Sequence, residues 1–202
     1  MKKKILITGS SGFIGFHLAK KLLEKGNKVH GYDSMNDYYD VRLKENRYKI
    51  LKKNKNFSFT KNKLENKRRL EGVFKKFKPN VVIHLAAQAG VRYSIEKPRV
   101  YLDSNITGTY NIIEISKKLN VKHLIMASSS SVYGANKKIP FKEIDKTETQ
   151  LSIYASTKKS NESMAHSYSN IWGVPITMLR FFTVYGPWGR PDMALFKFTK
   201  GI

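Results

Sequence analysis

Residues that could transfer a proton lie close together in the second half of the chain. Four serines end an apolar run in ASSSSVYG (127–134), and YASTK (154–158) follows them. Tyr154 and Lys158 are one turn apart on a predicted helix, so their side chains share a face. A neighbouring ammonium group favours the phenolate form of tyrosine, whose free pKa of about 10 makes it a poor base at neutral pH. The pair therefore predicts a general base at Tyr154.

The serine run separates this interpretation from a simpler one. A Tyr-x-x-x-Lys pair alone is typical of a solvated helix face with no chemical role. The serines at 128–131 end a predicted parallel strand at its C-terminal edge, where ligands bind in open α/β sheets. Hydroxyls and a tyrosine–lysine pair at that edge favour a catalytic site.

A phosphate-binding loop is predicted at the start of the chain. TGSSGFIG (8–15) places three glycines between a strand and a helix, the context of a dinucleotide-binding fingerprint. Gly9 allows a tight turn, Gly12 lets backbone N–H groups approach a pyrophosphate, and Gly15 lets the helix pack on the strand. Asp33 ends the second strand, where a carboxylate binds ribose hydroxyls and repels a 2′-phosphate. This favours NAD over NADP; the alternative is a loop whose glycines only serve a turn.

The elements that must position these residues alternate along the whole chain. Short apolar runs alternate with amphipathic stretches, which predicts a parallel sheet covered on both faces. The predicted fold class is α/β, a doubly wound Rossmann-type sheet in three αβα layers. Predicted strands cover residues 4–8, 29–33, 57–60, 80–86, 121–128 and 175–185, and predicted helices cover 13–25, 67–77, 101–119 and about 152–172. The long connection between Asp33 and Phe57 is predicted to be a partly helical insertion.

Composition excludes several function classes. The 202 residues include no cysteine, which excludes disulfides and thiolate metal sites and fits a cytoplasmic protein; no metal is expected. No apolar run reaches the roughly 18 residues of a membrane span, and no signal peptide is predicted. The 38 Lys and Arg residues against 15 Asp and Glu give a net charge of +23. Because the lysines are scattered and no nucleic-acid motif accompanies them, we expect small anionic ligands such as nucleotides, without a nucleic-acid partner.

Six motifs together resemble a known superfamily. They are TGSSGFIG, Asp33, HLAAQAGVRYS (84–94), ASSSSVYG, YASTK and RFFTVYGPWGRPDMA (180–194). They are similar to those of the extended short-chain dehydrogenases/reductases, and most closely to nucleotide-sugar 4-epimerases acting on UDP-glucuronate. The resemblance covers nearly the whole chain. It implies an isomerase that uses NAD and a UDP-sugar substrate, with a homodimer as a candidate assembly.

The resemblance implies a role for each catalytic residue. The serine matching Ser129 hydrogen-bonds the sugar 4-hydroxyl, and the tyrosine matching Tyr154 takes its proton. The lysine matching Lys158 holds the nicotinamide ribose and lowers the tyrosine pKa. Hydride passes from sugar C4 to NAD and returns to the other face of the 4-keto sugar. UDP-glucuronate would thus become UDP-galacturonate without net oxidation.

A cofactor-binding set is also implied, including a loop after the fourth strand whose small alanines let the backbone approach the cofactor. The set is Gly9, Gly12, Phe13, Ile14, Gly15, Asp33, Leu85, Ala86, Ala87, Tyr154 and Lys158. Near this set, His84 is predicted to be a packed strand residue and Asn105 a structural asparagine. Phe181 and Phe182 are predicted to be core or pocket wall.

Substrate binding is assigned to hydroxyl and basic side chains. Related dehydratases resemble this chain but carry Asp and Glu at the positions of Ser130 and Ser131, and related decarboxylases place Glu at the second position. A hydroxyl can donate a hydrogen bond to a substrate carboxylate without repelling it, which favours epimerisation. Thr183 and Arg190 match family residues near the sugar carboxylate and phosphates. Arg190 is also compatible with a surface cation.

Two departures from the family pattern leave alternatives open. Lys63 in NKL (62–64) stands where relatives tend to carry an acid that contacts the adenine amine. We expect that contact to be weakened, or to come from Asn62 or the backbone. Relatives also continue further, so the chain is expected to be a fragment or a short form.

The domain division follows from this comparison of lengths. Residues 1–187 are assigned to an NAD-binding domain and 188–202 to the start of a truncated substrate-binding region. NAD binding with poor or absent turnover is expected for the chain alone. The alternatives are an NAD-binding module without turnover and another nucleotide-sugar epimerase or reductase, such as a UDP-glucose 4-epimerase.

Overall fold

A six-stranded sheet forms the centre of the computed structural model, which describes residues 2–201. The strands are β1 (Lys4–Thr8), β2 (Lys28–Asp33), β3 (Phe57–Lys61), β4 (Val81–His84), β5 (His123–Ser129) and β6 (Ile176–Phe181). Each neighbouring pair is parallel, and the order across the sheet is β3-β2-β1-β4-β5-β6. The chain reverses its direction of travel across the sheet between β1 and β4. A crevice is expected at the C-terminal edge there.

Helices connect the strands and cover the sheet. They are α1 (Phe13–Glu24), α2 (Val41–Lys52), α3 (Lys67–Phe77), α4 (Tyr93–Glu96), α5 (Pro98–Tyr101), α6 (Gly108–Lys118), α7 (Ile153–Trp172) and α8 (Ala194–Gly201). A π-helical segment occupies Leu102–Thr107, and a 3₁₀ turn occupies Ser130–Tyr133.

The two faces of the sheet pack into separate hydrophobic cores, because successive strand side chains point to opposite faces. On one face, Leu6 packs in a cluster with Phe74 of α3 and Ile112 of α6. On the other face, Ile5 packs in a cluster with Phe16 of α1. This three-layer arrangement confirms the predicted Rossmann-type fold.

Several predicted boundaries are corrected by the structure. The strands predicted over 80–86 and 175–185 end earlier, at His84 and Phe181, because the residues that follow them form loops. The strand predicted over 121–128 begins at His123 and ends at Ser129. The helix predicted over 101–119 is replaced by α5, the π-helical segment and α6. The predicted insertion contains α2, which Asp40 caps by accepting a hydrogen bond from the Arg42 N–H at 2.9 Å.

Helix α7, which carries the predicted catalytic pair, has well-defined ends. The Ser152 side chain caps its first turn by accepting a hydrogen bond from the Ala155 N–H at 3.0 Å. Gly173 ends it in the left-handed conformation, with φ of 62°. Tyr154 and Lys158 therefore lie in the first two turns, next to the C-terminal end of β5.

Two kinds of feature are not found in the described part of the chain. Within residues 2–201, no helix combines the length and the apolar character needed to cross a membrane. The same residues contain no group of three or more His, Asp or Glu side chains placed to hold a metal ion.

Candidate active site

An open cleft of about 650 Å³ lies at the C-terminal edge of the sheet, bordered by the loops that follow its strands. Every predicted site residue lines this cleft. They are Gly9, Gly12, Phe13, Ile14, Gly15, Asp33, Leu85, Ala86, Ala87, Ser129, Ser130, Ser131, Tyr154, Lys158, Thr183 and Arg190. Motifs from both halves of the chain are thus brought into one cavity.

In the glycine loop, backbone segments lie so close together that side chains would not fit between them. Gly9 has φ of 74°, and a side chain there would place its Cβ 2.8 Å from the Ala86 backbone nitrogen. A Cβ at Gly15 would collide with the Gly9 carbonyl oxygen, and one at Gly12 would lie 3.1 Å from the same atom. The loop therefore has the shape expected of a phosphate cradle, with bare backbone where side chains would fill the space.

The first turn of α1 follows this loop and offers free N–H groups. Helix N-termini leave their first N–H groups without intrahelical partners and carry a partial positive charge. Within residues 2–201, no side chain caps α1 and no acidic residue occupies its first turn. The N–H groups of Phe13, Ile14 and Gly15 can therefore bind an anion such as a diphosphate.

The Asp33 carboxylate is held rigidly at the end of β2. Its Oδ2 accepts a hydrogen bond from the Ser11 N–H and its Oδ1 accepts one from the Met35 N–H, each at 2.9 Å. Asp33 is 8% exposed and lines the cleft. The carboxylate oxygens retain lone pairs that can accept from ribose hydroxyls.

The loop after β4 is fixed by buried polar contacts. The Asn105 side chain accepts a hydrogen bond from the Gln88 N–H at 2.7 Å and donates one to the Gln88 carbonyl at 3.0 Å. The buried His84 ring is hydrogen-bonded to the Thr8 hydroxyl at 2.7 Å and to the Thr109 hydroxyl at 3.0 Å. Burial lowers the pKa of His84 to about 3, so its ring is neutral. Both residues are structural, as predicted.

The consecutive serines point to different partners. The Ser128 hydroxyl donates to a Glu162 carboxylate oxygen at 2.6 Å, so it anchors β5 to α7. The Ser129 hydroxyl caps the 3₁₀ turn by accepting from the Ser131 N–H at 3.2 Å, and it donates to the Ser131 hydroxyl at 3.1 Å. Ser129, Ser130 and Ser131 form the hydroxyl wall of the cleft beside Tyr154.

Tyr154 and Lys158 lie next to this wall. The Lys158 ammonium is buried and donates to the Ala127 carbonyl at 2.8 Å; burial lowers its pKa to about 8. Burial raises the pKa of Tyr154, while the Ser129 hydroxyl and the positive charge of Arg190 act in the opposite direction. The expectation that Lys158 lowers the tyrosine pKa differs from this arrangement, because the groups that favour the phenolate here are Ser129 and Arg190.

Arg190 is not a simple surface cation. Its side chain is 24% exposed and forms a two-point ion pair with Asp192, with Nε–Oδ1 at 3.0 Å and a terminal nitrogen–Oδ2 at 2.5 Å. Thr183, exposed at the end of β6, lines the same part of the cleft. Phe182 is 58% exposed and stacks on Phe141 with ring centroids 6.3 Å apart, so it is wall rather than core.

Comparison with known proteins decides the family. A sequence model of the family described as GDP-mannose 4,6 dehydratase matches residues 6–202. The chain belongs to the GDP-mannose 4,6 dehydratase family.

Similar proteins confirm the resemblance to nucleotide-sugar epimerases. Protein CapI from Staphylococcus aureus is 63% identical over 199 residues, which are 98% of this chain and 59% of that protein. A probable UDP-glucuronate 4-epimerase from Rhizobium meliloti (strain 1021) is 54% identical over 98% of this chain and 58% of its own length. The crystal structure of Bacillus cereus UDP-glucuronic acid 4-epimerase with UDP-glucuronic acid and NAD has a TM-score of 0.89 and 37% identity, over 96% of this chain and 60% of that one. The chain therefore spans about 60% of the length of these relatives.

Acidic residues are unevenly distributed around the cleft of this member of the GDP-mannose 4,6 dehydratase family. Among the described lining residues, the acids are Asp33, Asp37 and Glu65, and all of them follow β2 or β3. Ser130 and Ser131 lie beyond β5, on the other side of β1. The tyrosine side of the cleft is therefore lined by hydroxyls and cations.

Sequence reasoning missed two residues that line the cleft, Tyr38 and Lys44, and two that contact lining residues, Arg47 and Asp192. Helix α2 directs Lys44 and Arg47 inward, and Tyr38 and Asp192 meet in a hydrogen bond of 3.1 Å. The Lys44 ammonium donates to the Asn36 carbonyl at 2.6 Å, and burial lowers its pKa. Buried cations occupy positions that an apolar stripe would mark on an ordinary helix, so hydrophobic periodicity gives no signal for them.

The departure from the family pattern at Lys63 lies on the cleft. Asn62 and Lys63 both line the cleft, and the Asn62 side-chain oxygen accepts from the Lys63 N–H at 2.9 Å. The Lys63 carbonyl accepts from the Tyr32 hydroxyl at 3.0 Å. The backbone of this segment is therefore fixed, and the Asn62 side-chain oxygen is already engaged by a hydrogen bond within it.

Proposed function

We propose that the chain carries the cofactor-binding and catalytic part of an NAD-dependent UDP-sugar 4-epimerase, with UDP-glucuronate as the substrate. The observation that carries this proposal is the meeting of Ser129, Tyr154 and Lys158 in the same cleft as the phosphate cradle. Relatives named as UDP-glucuronate 4-epimerases support it. Because the chain spans about 60% of their length, the activity of the whole protein is part of the proposal.

NAD fits the residues present. The bare glycine loop and the free N–H groups of Phe13 and Ile14 would hold the diphosphate, and Asp33 would accept from the adenosine ribose hydroxyls. Side chains at Gly9 or Gly15 would fill the cradle. When bound, NAD supplies the reversible oxidation and reduction at the sugar carbon.

Proton transfer is assigned to Tyr154. Ser129 would hold the sugar 4-hydroxyl while the Tyr154 phenolate removes its proton, and the same phenol would return the proton when the sugar is reduced again. In the free protein burial keeps the tyrosine protonated, so neighbouring cations must favour the phenolate. Arg190 supplies positive charge that favours the phenolate. The Lys158 ammonium, one turn along α7, holds this helix against β5 through the Ala127 carbonyl.

Selectivity for a sugar carboxylate is assigned to the hydroxyl wall. Ser130, Ser131 and Thr183 can donate hydrogen bonds to a carboxylate, and Arg190 adds a positive charge. No acidic side chain among the described lining residues follows β5 or β6. An elimination or decarboxylation that depends on an acid at Ser130 or Ser131 has no group to perform it there.

Two titrations test this proposal against its alternatives. In the first, isothermal calorimetry of the protein with NAD is expected to give one site per chain. In the second, UDP-glucuronate and then UDP-glucose are titrated into the NAD-saturated protein, and UDP-glucuronate is expected to bind more tightly. Tighter UDP-glucose binding would favour the alternative UDP-glucose 4-epimerase, NAD binding alone would favour an NAD-binding module, and absence of NAD binding would contradict both.

A further inference from the structure

The insertion segment, defined as residues 34–56 between β2 and β3, contacts both the phosphate cradle and the segment that carries Arg190. That second segment, residues 186–193, is called the arginine loop. Neither catalysis nor cofactor binding as described above explains why the insertion segment buries two cations, Lys44 and Arg47, and places half-buried tyrosines beside them. Its contacts indicate a positioning role.

Arg47 ties the two regions together through backbone carbonyls. Its side chain is fully buried. One terminal nitrogen donates to the Ser11 carbonyl of the glycine loop at 3.0 Å and to the Tyr39 hydroxyl at 2.8 Å. The other donates to the Trp188 carbonyl at 2.5 Å and to the Gly189 carbonyl at 3.3 Å. The backbone of the arginine loop is therefore fixed against the cradle.

Tyr38 contacts two side chains of the arginine loop, those of Asp192 and Arg190. Its hydroxyl donates to Asp192 Oδ2 at 3.1 Å, and that carboxylate is the partner of the Arg190 guanidinium. The Tyr38 ring lies 4.9 Å from the Tyr93 ring, and Arg190 lies 6.0 Å from the centre of the Tyr38 ring. A Cβ at Gly90 would collide with the Tyr38 hydroxyl, so glycine leaves room for it. One hydroxyl thus contacts the loop after β4 and the Arg190–Asp192 pair.

We propose that Tyr38 is a positioning residue for Arg190: it orients the Asp192 carboxylate, which fixes the guanidinium at the cleft where an anionic sugar nucleotide binds. A carboxylate free to rotate can pair with an arginine in several geometries, whereas a third hydrogen bond selects one of them. Binding of the substrate then depends on a hydroxyl held by the insertion segment. This inference rests on the proposed function of Arg190 as a substrate ligand.

The first test compares affinities. Tyr38→Phe removes the hydroxyl and keeps the ring. Tyr48→Phe is a matched control on α2, where the Tyr48 ring packs against Phe59. We expect Tyr38→Phe to weaken UDP-glucuronate binding to the NAD-saturated protein about fivefold, which is the effect of losing one typical hydrogen bond, with NAD affinity unchanged. Equal UDP-glucuronate affinities for wild type and Tyr38→Phe would overturn the inference.

Arg190→Ala in the same titration separates the two proposals. If Arg190→Ala weakens UDP-glucuronate binding and Tyr38→Phe does not, the positioning role is wrong and the substrate role of Arg190 stands. If Arg190→Ala has no effect, or if the wild type does not bind UDP-glucuronate, the proposed function fails, and the second test decides the positioning role by itself.

The second test needs no substrate. The Arg190 Nε–H donates to Asp192 Oδ1 at 3.0 Å and can be followed as a side-chain NMR resonance in ¹⁵N-arginine-labelled protein. We expect Tyr38→Phe to shift this resonance and to speed its exchange with water about fivefold, while Tyr48→Phe leaves it unchanged. A resonance that moves in Asp192→Asn and stays in place in Tyr38→Phe would overturn the inference.

Discussion

The Lys158 ammonium donates a hydrogen bond to the Ala127 carbonyl at 2.8 Å, which joins α7 to β5 at the residue just before the serines. This contact places Tyr154 beside Ser129. It also buries a positive charge, and burial lowers the pKa of Lys158 to about 8. Burial of this charge therefore lowers the free energy of unfolding at pH values where Lys158 is protonated, and that effect can be measured.

Lys158→Met is predicted to change the pH dependence of stability. Between pH 8 and about 10.5 the unfolded chain binds a proton at Lys158 that the folded chain has lost, so the free energy of unfolding rises with pH through that window. The full increment is about 3 kcal/mol, from a pKa depressed from 10.5 to about 8. Urea unfolding at pH 7 and pH 10 should show wild type gaining stability relative to Lys158→Met. Parallel pH profiles of the free energy of unfolding for wild type and Lys158→Met would contradict the burial of this charge. Substitution of the exposed Lys20 by Met controls for the loss of one lysine.

Gly15→Ala is predicted to destabilise the fold by about 2 kcal/mol, because the new Cβ would collide with the Gly9 carbonyl and force the glycine loop to move. Gly72→Ala is the matched control, since a Cβ at Gly72 within α3 meets no atom within 4 Å. That control should stabilise the protein by about 0.5–1 kcal/mol through helix propensity. Urea unfolding measures both. Equal effects from the two substitutions would show that the cradle is not as tightly packed as described.

Asp33→Asn is predicted to weaken NAD binding about tenfold and to narrow the preference for NAD over NADP. The amide keeps one acceptor oxygen, so it cannot satisfy both the Ser11 and Met35 N–H groups and still accept from a ribose. Calorimetric titration with each nucleotide checks this. The control is Asp103→Asn, because Asp103 is only partly buried and pairs with Arg99. Unchanged NAD affinity would remove Asp33 from the cofactor site.

Charge at Ser131 is predicted to discriminate between sugars. Ser131→Glu and Ser131→Gln have nearly the same shape and differ by one negative charge. The glutamate variant should bind UDP-glucuronate at least fivefold more weakly than the glutamine variant, because it faces the substrate carboxylate, while both should bind UDP-glucose similarly. Calorimetry on the NAD-saturated variants gives the comparison. If the two variants differed equally in affinity for UDP-glucuronate and for UDP-glucose, the sugar carboxylate would not lie next to residue 131.

Much of the fold could be predicted from local sequence pattern. The apolar runs at β1, β4 and β5 are buried strands, and α3 has the predicted bounds because Asn66 caps its first turn and Pro79 follows its last. The glycine loop and Asp33 were predictable because their chemistry is local to one strand–helix–strand unit, β1–α1–β2.

The unpredicted part of the site depends on contacts between distant residues. Tyr38 meets Asp192 across 154 positions and Arg47 meets Trp188 across 141, and no periodic pattern marks either pair. Local pattern alone does not distinguish Ser128 from Ser129, and only the family resemblance assigns a role to Ser129. The partner of Ser128, Glu162, is recognised only once α7 is packed against β5. The π-helical segment at Leu102–Thr107 also has a composition that fits an ordinary helix.

Product analysis tests the central claim most directly. The protein is incubated with NAD and UDP-glucuronate deuterated at C4, at protein concentrations equal to the substrate so that slow conversion is detected. The sequence alone leaves open poor or absent turnover, but Ser129, Tyr154 and Lys158 meet in one cleft, so we predict slow turnover. The expected product is UDP-galacturonate that retains deuterium at C4, with no net reduction of NAD and a rate at least about a hundredfold lower in Tyr154→Phe. UDP-xylose, a 4,6-elimination product, deuterium lost to water, or no more product from the wild type than from Tyr154→Phe would contradict the account.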